Sequence, residues 1–378
     1  MATTVGIAPR LVFGLRTAAG AAGGDCLQYA EDGSFIYPGG HTVVISAPDG
    51  KSQRFLPGTP DCECVTALAV SPNKRLLAVA ERAEKGVISV YDLQTLKRRK
   101  VLQAAEVGSQ EYVSISFSSD GKQLLAQGGA PEWNLLLFAW ERAKVAASVR
   151  TTNVQGVPLT KCSLSLGEGS LATALGPGVL RIFRVSEGGL KALPINNAKR
   201  EGLPFTCQAW LPPTGGAGAG GDGADKGSTA AGAAAGDGRD KERQLLGTSD
   251  GEILLLEGTE LRATLSCDTG GKSVESLVAY GKGFAAGQEA GLVTLFEKDE
   301  REKEGFRRAR TFAVHDHPLR VRCLAVSPGE EQLALMLEGG PAFTLALLNQ
   351  ASCCRPHAPD PPSLGAQQCW LGRHGLCF

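Results

Sequence analysis

Apolar and polar residues alternate in short runs along most of the chain, and these runs come in pairs joined by a compact polar turn. Residues 65–80 and 113–127 show the pattern: an alternating run, a Ser-Pro-Asn or Ser-Asp-Gly turn, and a second alternating run. Residues 321–335 repeat it around Ser-Pro-Gly. Alternation with a period of two on both sides of a turn is typical of a β-hairpin. These segments are therefore predicted to be related hairpins.

The turn residues have conformational properties that fit this prediction. Pro72 and Pro328 preset φ for a turn position, because the pyrrolidine ring fixes that dihedral angle. Asn73 and Gly121 are the residues expected to accommodate a positive φ, since Asn and Gly tolerate the left-handed region best.

Each hairpin continues into a third apolar strand, and a fourth follows in the units that begin near 65 and 112, at residues 100–103 and 144–150. In the unit that begins near 205, the third strand is expected at residues 252–257. Related units begin near residues 26, 65, 112, 161, 205, 274 and 321. The spacing is 39 to 49 residues except after 205, where an insertion lengthens it. This period matches a four-stranded propeller blade, and no strand–helix alternation points to a doubly wound fold. The sequence therefore predicts an all-β, seven-bladed β-propeller of the WD-repeat type over residues 8–350.

The last unit has only three strands and ends near residue 348. Residues 10–16, Arg-Leu-Val-Phe-Gly-Leu-Arg, precede the first unit and have no other assignment. We expect this N-terminal strand to supply the missing outer strand of the last blade. Pairing of the first and last segments would close the ring and protect its edges.

Two segments interrupt the repeat. Residues 212–240 are mostly Gly, Ala, Asp and Ser, a composition that buries too little apolar surface to offset its ordering entropy. They are predicted to form a flexible loop between the first two strands of blade five. Residues 351–378 contain Pro, Cys and His without periodicity and are predicted to be a disordered tail.

Charge and hydropathy narrow the classes of partner. The chain has 39 basic and 39 acidic residues, so no global field favours nucleic acid or an anionic membrane. No run of about 18 apolar residues predicts a membrane span, and the first ten residues lack the pattern of a secretory signal. The 11 cysteines are irregularly spaced, which favours reduced thiols in a cytosolic protein.

Several motifs resemble catalytic or metal sites but lack the required context. Gly216, Gly218 and Gly221 match Gly-x-Gly-x-x-Gly without the flanking strand and helix. Residues 266–273 nearly match a phosphate loop, yet a strand pattern follows where a helix N-terminus is needed. An inter-blade loop is the favoured interpretation of the latter.

The remaining candidates are also weak. Cys62 and Cys64 have no further zinc ligands near them in sequence, and residues 315–317, His-Asp-His, have no nucleophile beside them. The tail has cysteines and histidines but no zinc-module spacing. The predicted innermost strands carry mostly Thr, Ala, Ser and aliphatic residues. We therefore predict a protein that is not an enzyme, with no cofactor, metal or small-molecule substrate.

One basic run is a candidate contact with a partner. It comprises Lys97, Arg98, Arg99 and Lys100, at the turn before a predicted outer strand. The alternative interpretation is a solvated turn followed by a charged edge strand, which discourages edge-to-edge pairing.

Beyond the generic repeat, several segments resemble one family. They are residues 11–16, 54–58, 71–78, 97–102, 117–127, 131–135, 140–141, 280–285 and 295–298. The family is cilia- and flagella-associated protein 57, a group of WD-repeat proteins of motile cilia. The resemblance spans roughly residues 8–350 in register, and residues 117–149 are its most specific part.

This resemblance implies a scaffold of the axoneme. Family members look like two consecutive propellers followed by long coiled coils, associated with inner dynein arms on doublet microtubules. The sequence here carries one predicted propeller and no heptad segment. It is expected to bind axonemal proteins (inner dynein arm or doublet-associated) in the cilium or flagellum, with a cytoplasmic pool. The alternative is a generic WD-repeat scaffold in another cytosolic assembly, such as ribosome biogenesis or translation, which predicts a strongly basic face.

Overall fold

A computed structural model describes the backbone and side chains of residues 26–104, 108–152, 157–167, 171–186, 189–196, 202–213, 242–314 and 318–338, and the backbone of 342–346. The predicted N-terminal strand at 10–16, the tail at 351–378 and most of the segment 212–240 lie outside these described residues.

The described residues form seven antiparallel sheets that follow one another along the chain. Sheet 1 contains β1 (Gln28–Tyr29), β2 (Phe35–Gly39), β3 (Thr42–Ser46) and β4 (Gln53–Pro57). Sheet 2 contains β5 (Cys64–Val70), β6 (Leu76–Arg82), β7 (Val87–Asp92) and β8 (Arg98–Leu102). Sheet 3 contains β9 (Tyr112–Phe117), β10 (Gln123–Gly128), β11 (Asn134–Ala139) and β12 (Lys144–Arg150), with a 3-10 turn at Trp140–Arg142.

The remaining sheets have the same order. Sheet 4 contains β13 (Lys161–Leu164), β14 (Leu171–Gly176), β15 (Val179–Ser186) and β16 (Gly189–Leu193). Sheet 5 contains β17 (Phe205–Trp210), β18 (Arg243–Thr248), β19 (Glu252–Glu257) and β20 (Glu260–Ser266). Sheet 6 contains β21 (Val274–Tyr280), β22 (Gly283–Gln288), β23 (Leu292–Lys298) and β24 (Phe306–Ala313), with a 3-10 turn at Glu289–Gly291. Sheet 7 contains three described strands, β25 (Val321–Val326), β26 (Gln332–Leu337) and β27 (Ala342–Ala346).

The core lies between consecutive sheets. Each of six apolar clusters joins one sheet to the next, from the sheet 1–2 seam to the sheet 6–7 seam. A further cluster packs Cys26 and Tyr29 of the first sheet region with Cys323 and Met336 of sheet 7. Strands buried on both faces explain why the second and third strands of each unit are nearly continuous apolar runs. This is the predicted all-β, propeller-like architecture of WD-repeat type, built from sheets of four strands.

A hydrogen bond between adjacent first strands recurs along the series. The Thr66 hydroxyl donates to the carbonyl of Tyr112 (2.7 Å), and the Ser276 hydroxyl donates to the carbonyl of Val321 (2.8 Å). Ser114 makes the corresponding bond to Cys162 (3.2 Å). In most sheets a β-bulge in the first strand accompanies this contact. A bulge re-aims side chains out of the regular ladder. In β5 the bulge leaves Thr66 out of the register, and the hydroxyl of this residue bonds to the next sheet.

The hairpin turns confirm one conformational prediction and correct another. Gly121 has a φ of 71°, as expected, but the residue with positive φ in the first turn is Lys74 (56°), one position after Asn73. The reason is that the Asn73 side chain accepts a hydrogen bond from the Arg75 N–H, at 3.1 Å. That local bond fixes Asn73 in the turn and leaves the left-handed position to the next residue. Glu330 (54°) occupies the same position in sheet 7.

The long insertion connects paired strands. β17 and β18 are hydrogen-bonded neighbours in sheet 5, and the chain between them contains residues 212–240. A connection of this length is tolerated between paired strands because loop length costs little free energy.

Candidate protein-interaction surface

The basic run lies at the outer edge of sheet 2. Lys97 ends the turn that follows β7, and Arg98, Arg99 and Lys100 begin β8, two residues earlier than the sequence pattern indicated. All four side chains are exposed. β8 is the outermost strand of its sheet, so these residues lie on the rim of the fold, where loops and edges are available to partners.

Arg99 is the member of the run that forms an ion pair among the described residues. Arg99 forms an ion pair with Asp92, whose carboxylate also accepts the backbone N–H of Thr95 at 2.9 Å. The hydrogen bond from Arg99 and those from the turn hold the pKa of Asp92 below its usual range. Asp92 therefore organises the turn between β7 and β8 and fixes the direction of Arg99. The structure gives Arg99 a local structural role that the sequence pattern did not reveal.

A β-bulge separates the other members of the run. Arg98 lies opposite Tyr91 and Lys100 lies opposite Val90, with a register shift between them. Val90 belongs to the cluster shared with sheet 3, whereas Tyr91 belongs to the cluster shared with sheet 1. Lys100 therefore faces the seam with sheet 3 and Arg98 faces the side of sheet 1. The run presents charge in two directions along the rim.

The thiol pair at Cys62 and Cys64 lies beside the buried carboxylate of Glu81. Glu81 accepts hydrogen bonds from the backbone N–H of Thr59, at 3.1 Å, and from the Thr59 hydroxyl. Burial, followed by the charge of Glu81, raises the pKa of Cys62 to about 12. A thiol with a raised pKa is a weak nucleophile at neutral pH because the thiolate is the reactive form. The environment of Cys62 therefore favours a packing role over a nucleophilic one.

The segment resembling a phosphate loop is a connection between sheets 5 and 6. Asp268 pairs with Arg308 at 2.6 Å, and Gly270 and Gly271 both have positive φ. β21 begins at Val274, immediately after the segment, so the chain continues as a strand. No helix N-terminus offers its N–H groups within residues 266–280, all of which the structure describes, and the interpretation as an inter-blade loop is confirmed. The Gly216–Gly221 segment, residues 315–317 and the tail cysteines lie outside the described residues.

An ion-pair network in sheets 6 and 7 was not predicted from the sequence. Glu275 is nearly buried and contacts Arg320 at 3.1 Å and Arg322 at 3.2 Å. Arg322 also pairs with Glu338, and Arg320 with Glu289. The carboxylates and guanidinium groups satisfy one another, which is required of buried charges. The network therefore stabilises the junction of two sheets and leaves little unbalanced charge for a ligand.

Within the part of the chain that the structure describes, no group of three or more His, Cys, Asp or Glu side chains is arranged to hold a metal ion. No helix in the same residues has the length and apolar character needed to cross a membrane.

Comparison with known proteins shows which proteins are similar in sequence to this chain. Cilia- and flagella-associated protein 57 of Mus musculus is 30% identical over 354 residues, an alignment that covers 79% of this chain and 26% of that protein. Cilia- and flagella-associated protein 57 A of Tetrahymena thermophila is 22% identical over 363 residues, covering 81% and 26% respectively. The chain is a homologue of cilia- and flagella-associated protein 57. It spans about a quarter of the length of these relatives.

The fold agrees with this relationship. The WD40 repeats of RRP9 superpose with a TM-score of 0.60, covering 83% of this chain and 86% of that one at 11% identity. At that identity the likeness concerns the fold alone. No protein-family model matches the chain. The resemblance recognised in the sequence is thus confirmed, together with a WD40 propeller-like fold.

Proposed function

We propose that this chain is a non-catalytic scaffold of the ciliary or flagellar axoneme, with a cytoplasmic pool, and that it binds inner dynein arm or doublet-associated proteins. The observation that carries the proposal is the 30% identity with the mouse cilia- and flagella-associated protein 57 over 79% of the chain. The internally paired charges and the shielded Cys62 thiol support a role without catalysis.

We further propose that the seven sheets are the blades of one closed ring, with residues 10–16 forming the outer strand of sheet 7. The support is the cluster that packs Tyr29 against Met336, between the first and last sheets. A second support is that sheet 7 has three described strands where the others have four. A closed propeller would present rigid rims for partner binding.

The proposed contact with the partner includes Lys97, Arg98 and Lys100, with Arg99 beside them. Arg99 is committed to Asp92, whereas the other three cations are exposed and have no ion-pair partner among the described residues. Their replacement by Ala should reduce axoneme binding if the rim of sheet 2 is part of the interface.

The test is co-sedimentation of the full chain with salt-stripped ciliary axonemes, with plain microtubules as the control. Saturable binding to axonemes but not to plain microtubules is expected, and crosslinking of the bound sample would then identify the partner. Failure of a folded sample to bind axonemes would contradict docking through this part of the protein.

The alternative function is a generic scaffold in another cytosolic assembly, such as ribosome biogenesis or translation. It predicts a strongly basic face for an RNA partner. The turn between the first two strands of sheet 2 carries Lys74 and Arg75, whereas the corresponding turn of sheet 7 carries Glu330 and Glu331. An RNA-dependent co-purification that ribonuclease abolishes would favour this alternative over the axonemal one.

A further inference from the structure

The turns of sheets 2 and 3 concentrate positive charge on one face of a neutral protein. In each sheet, the turns joining strands 1–2 and 3–4 lie at the same end of the meander, which we call the hairpin face. The hairpin face of sheets 2 and 3 carries nine cationic side chains against three carboxylates (Asp92, Asp120 and Glu141). We call this region the basic sector, and its cations are Lys74, Arg75, Lys97, Arg98, Arg99, Lys100, Lys122, Arg142 and Lys144.

Local contacts hold these sequence-distant residues together. In sheet 2 the backbone N–H of Leu93 donates to the carbonyl of Arg75 at 2.9 Å, which joins the two turns. In sheet 3 the indole N–H of Trp140 donates to the carbonyl of Gly121 at 2.7 Å, with the same effect. β8 of sheet 2 lies against the 3-10 turn Trp140–Arg142 of sheet 3. The basic sector is therefore one continuous surface across two sheets.

Most of its charge is not neutralised by ion pairs among the described residues. Asp92 is committed to Arg99, and Asp120 lies 3.8 Å from the Nζ atom of Lys122, whose side chain remains 77% exposed. Arg75, Lys97, Lys100, Arg142 and Lys144 are exposed and have no ion-pair partner among the described residues. A cluster of like charges without local counter-charges costs free energy through repulsion. An anionic partner would relieve that repulsion.

The opposite face of the same two sheets has the reverse sign. The turns there carry five exposed or half-exposed carboxylates among the described residues, against three cations, Arg82, Lys85 and Arg150. The carboxylates are Asp61, Glu63, Glu84, Glu111 and Glu132. This part of the molecule is therefore electrically polarised, which would orient an approaching anion towards the hairpin face.

We propose that the basic sector binds an acidic, extended polypeptide segment of a partner protein, an inference that deepens the proposed scaffold function. A polypeptide fits better than nucleic acid for two reasons. Single-stranded nucleic acid binds on exposed aromatic platforms, whereas Trp140, the aromatic residue at this surface, is buried and its indole N–H is already bonded. The acidic opposite face would also repel a long polyanion, while a short acidic segment can remain on the hairpin face.

The experiment measures binding of a fluorescent oligoglutamate peptide to the full chain by anisotropy. Binding should weaken steeply as salt is raised, because exposed charges are screened. The variant Lys97→Glu, Arg98→Glu, Lys100→Glu should lose at least about tenfold in affinity, since it replaces exposed attractions by repulsions. Arg99 is retained because it holds the turn through Asp92.

A matched control is available on the same face of sheet 6. Lys282→Glu, Arg301→Glu and Lys303→Glu change the net charge equally, at exposed positions where cations and carboxylates are balanced. This control should bind the peptide like the wild type.

A second variant, Lys122→Glu, Arg142→Glu, Lys144→Glu, tests the sheet 3 half of the basic sector and should show a loss of affinity comparable with that of the sheet 2 variant. Thermal melts establish that each variant is folded.

The outcomes separate this inference from the scaffold proposal. Loss in both sector variants and not in the control supports the inference, even if the wild type fails to sediment with axonemes. Equal loss in the control would show a response to net charge alone and would overturn it. Absence of oligoglutamate binding by the wild type, or tighter binding of a single-stranded oligonucleotide of equal charge, would also overturn it, whatever the axoneme result.

Discussion

Gly121 occupies a left-handed position in a hairpin turn, and its substitution tests how much that conformation costs another residue. It has a φ of 71°, and a Cβ atom added there would meet nothing within 4 Å. Gly121→Ala should therefore lower the free energy of unfolding by about 1–2 kcal/mol through left-handed strain alone. Urea unfolding followed by circular dichroism measures this change.

Gly329 provides the matched control for that substitution. It lies in the equivalent turn of sheet 7 without a positive φ, and its added Cβ would make ordinary contacts at 3.7 and 3.9 Å. Gly329→Ala should change the free energy of unfolding by less than about 0.5 kcal/mol, as surface substitutions usually do. Equal destabilisation by both variants would contradict the strain argument.

The thiol of Cys62 gives a second test at the residue scale. Its pKa is raised from 9.0 to about 12 by burial and then by the charge of Glu81. At neutral pH the thiolate fraction falls about a thousandfold, and the greater nucleophilicity of a high-pKa thiolate offsets part of this loss. Alkylation of Cys62 by iodoacetamide, followed by peptide mass spectrometry, should be roughly 30-fold slower in the folded chain than in urea.

The contribution of Glu81 can be separated from that of burial. Glu81→Gln keeps an acceptor oxygen for the Thr59 N–H but removes the negative charge, so alkylation of Cys62 should become faster. Glu63→Gln should have a smaller effect, because Glu63 contributes least to the raised pKa of Cys62. An alkylation rate that does not respond to Glu81→Gln would contradict a contribution of the Glu81 charge.

At the scale of strands, the sequence predicted the inner and middle elements well. The third strand of sheet 5 was expected at 252–257 and is Glu252–Glu257, because a continuous apolar run bounded by glycines has sharp ends. The fourth strand of sheet 2 begins at Arg98, earlier than expected. Its exposed, charged residues carry no apolar period, and pairing with β7 decides where it starts.

The seam between sheets 6 and 7 offers a test of packing between elements. A Cβ atom on Gly287 would lie 2.5 Å from the Cγ1 atom of Val321 and 2.4 Å from the Ser276 hydroxyl oxygen. Gly287→Ala should therefore lower the free energy of unfolding by about 1–3 kcal/mol through overpacking.

A double-mutant cycle checks the cause. Val321 is fully buried, so Val321→Ala alone should also destabilise by leaving a cavity. The double variant should be less destabilised than the sum of the two single changes, because the smaller side chain makes room for the new methyl group. Additive effects would mean that Gly287 does not contact the next sheet as described.

The basic sector illustrates what sequence reasoning could not reach. The run Lys97–Lys100 is contiguous and therefore evident in the sequence, but Arg75, Lys122 and Arg142 are dispersed among turns of different strands. The contacts of Leu93 with Arg75, of Trp140 with Gly121 and of β8 with the 3-10 turn bring those turns together. The balanced total of 39 basic and 39 acidic residues conceals the sector, since a sum carries no information about position.

At the scale of the whole molecule, stability depends on how the first and last sheets meet. Each intermediate sheet is packed on both sides by a neighbour, and Tyr29 and Met336 join the two ends. A chain of sheets in which each contacts its neighbours loses cooperativity if one junction opens. The outer edge of sheet 7, beyond β27, is the place where the proposed closing strand would add to that junction.

Deletion of residues 1–18 tests this closure. The segment 10–16 would bury Leu11, Val12, Phe13 or Leu15 against sheet 7, at about 1.5–3 kcal/mol for each fully buried side chain. Loss of two such side chains and of the paired edge should lower the melting temperature by roughly 10 °C. Deletion of residues 351–378, which has no place in the repeat, is the control and should leave the melt nearly unchanged. Equal melting of the wild type and the N-terminal deletion would mean that sheet 7 is complete without this strand, and that packing between the first and last sheets alone joins the two ends.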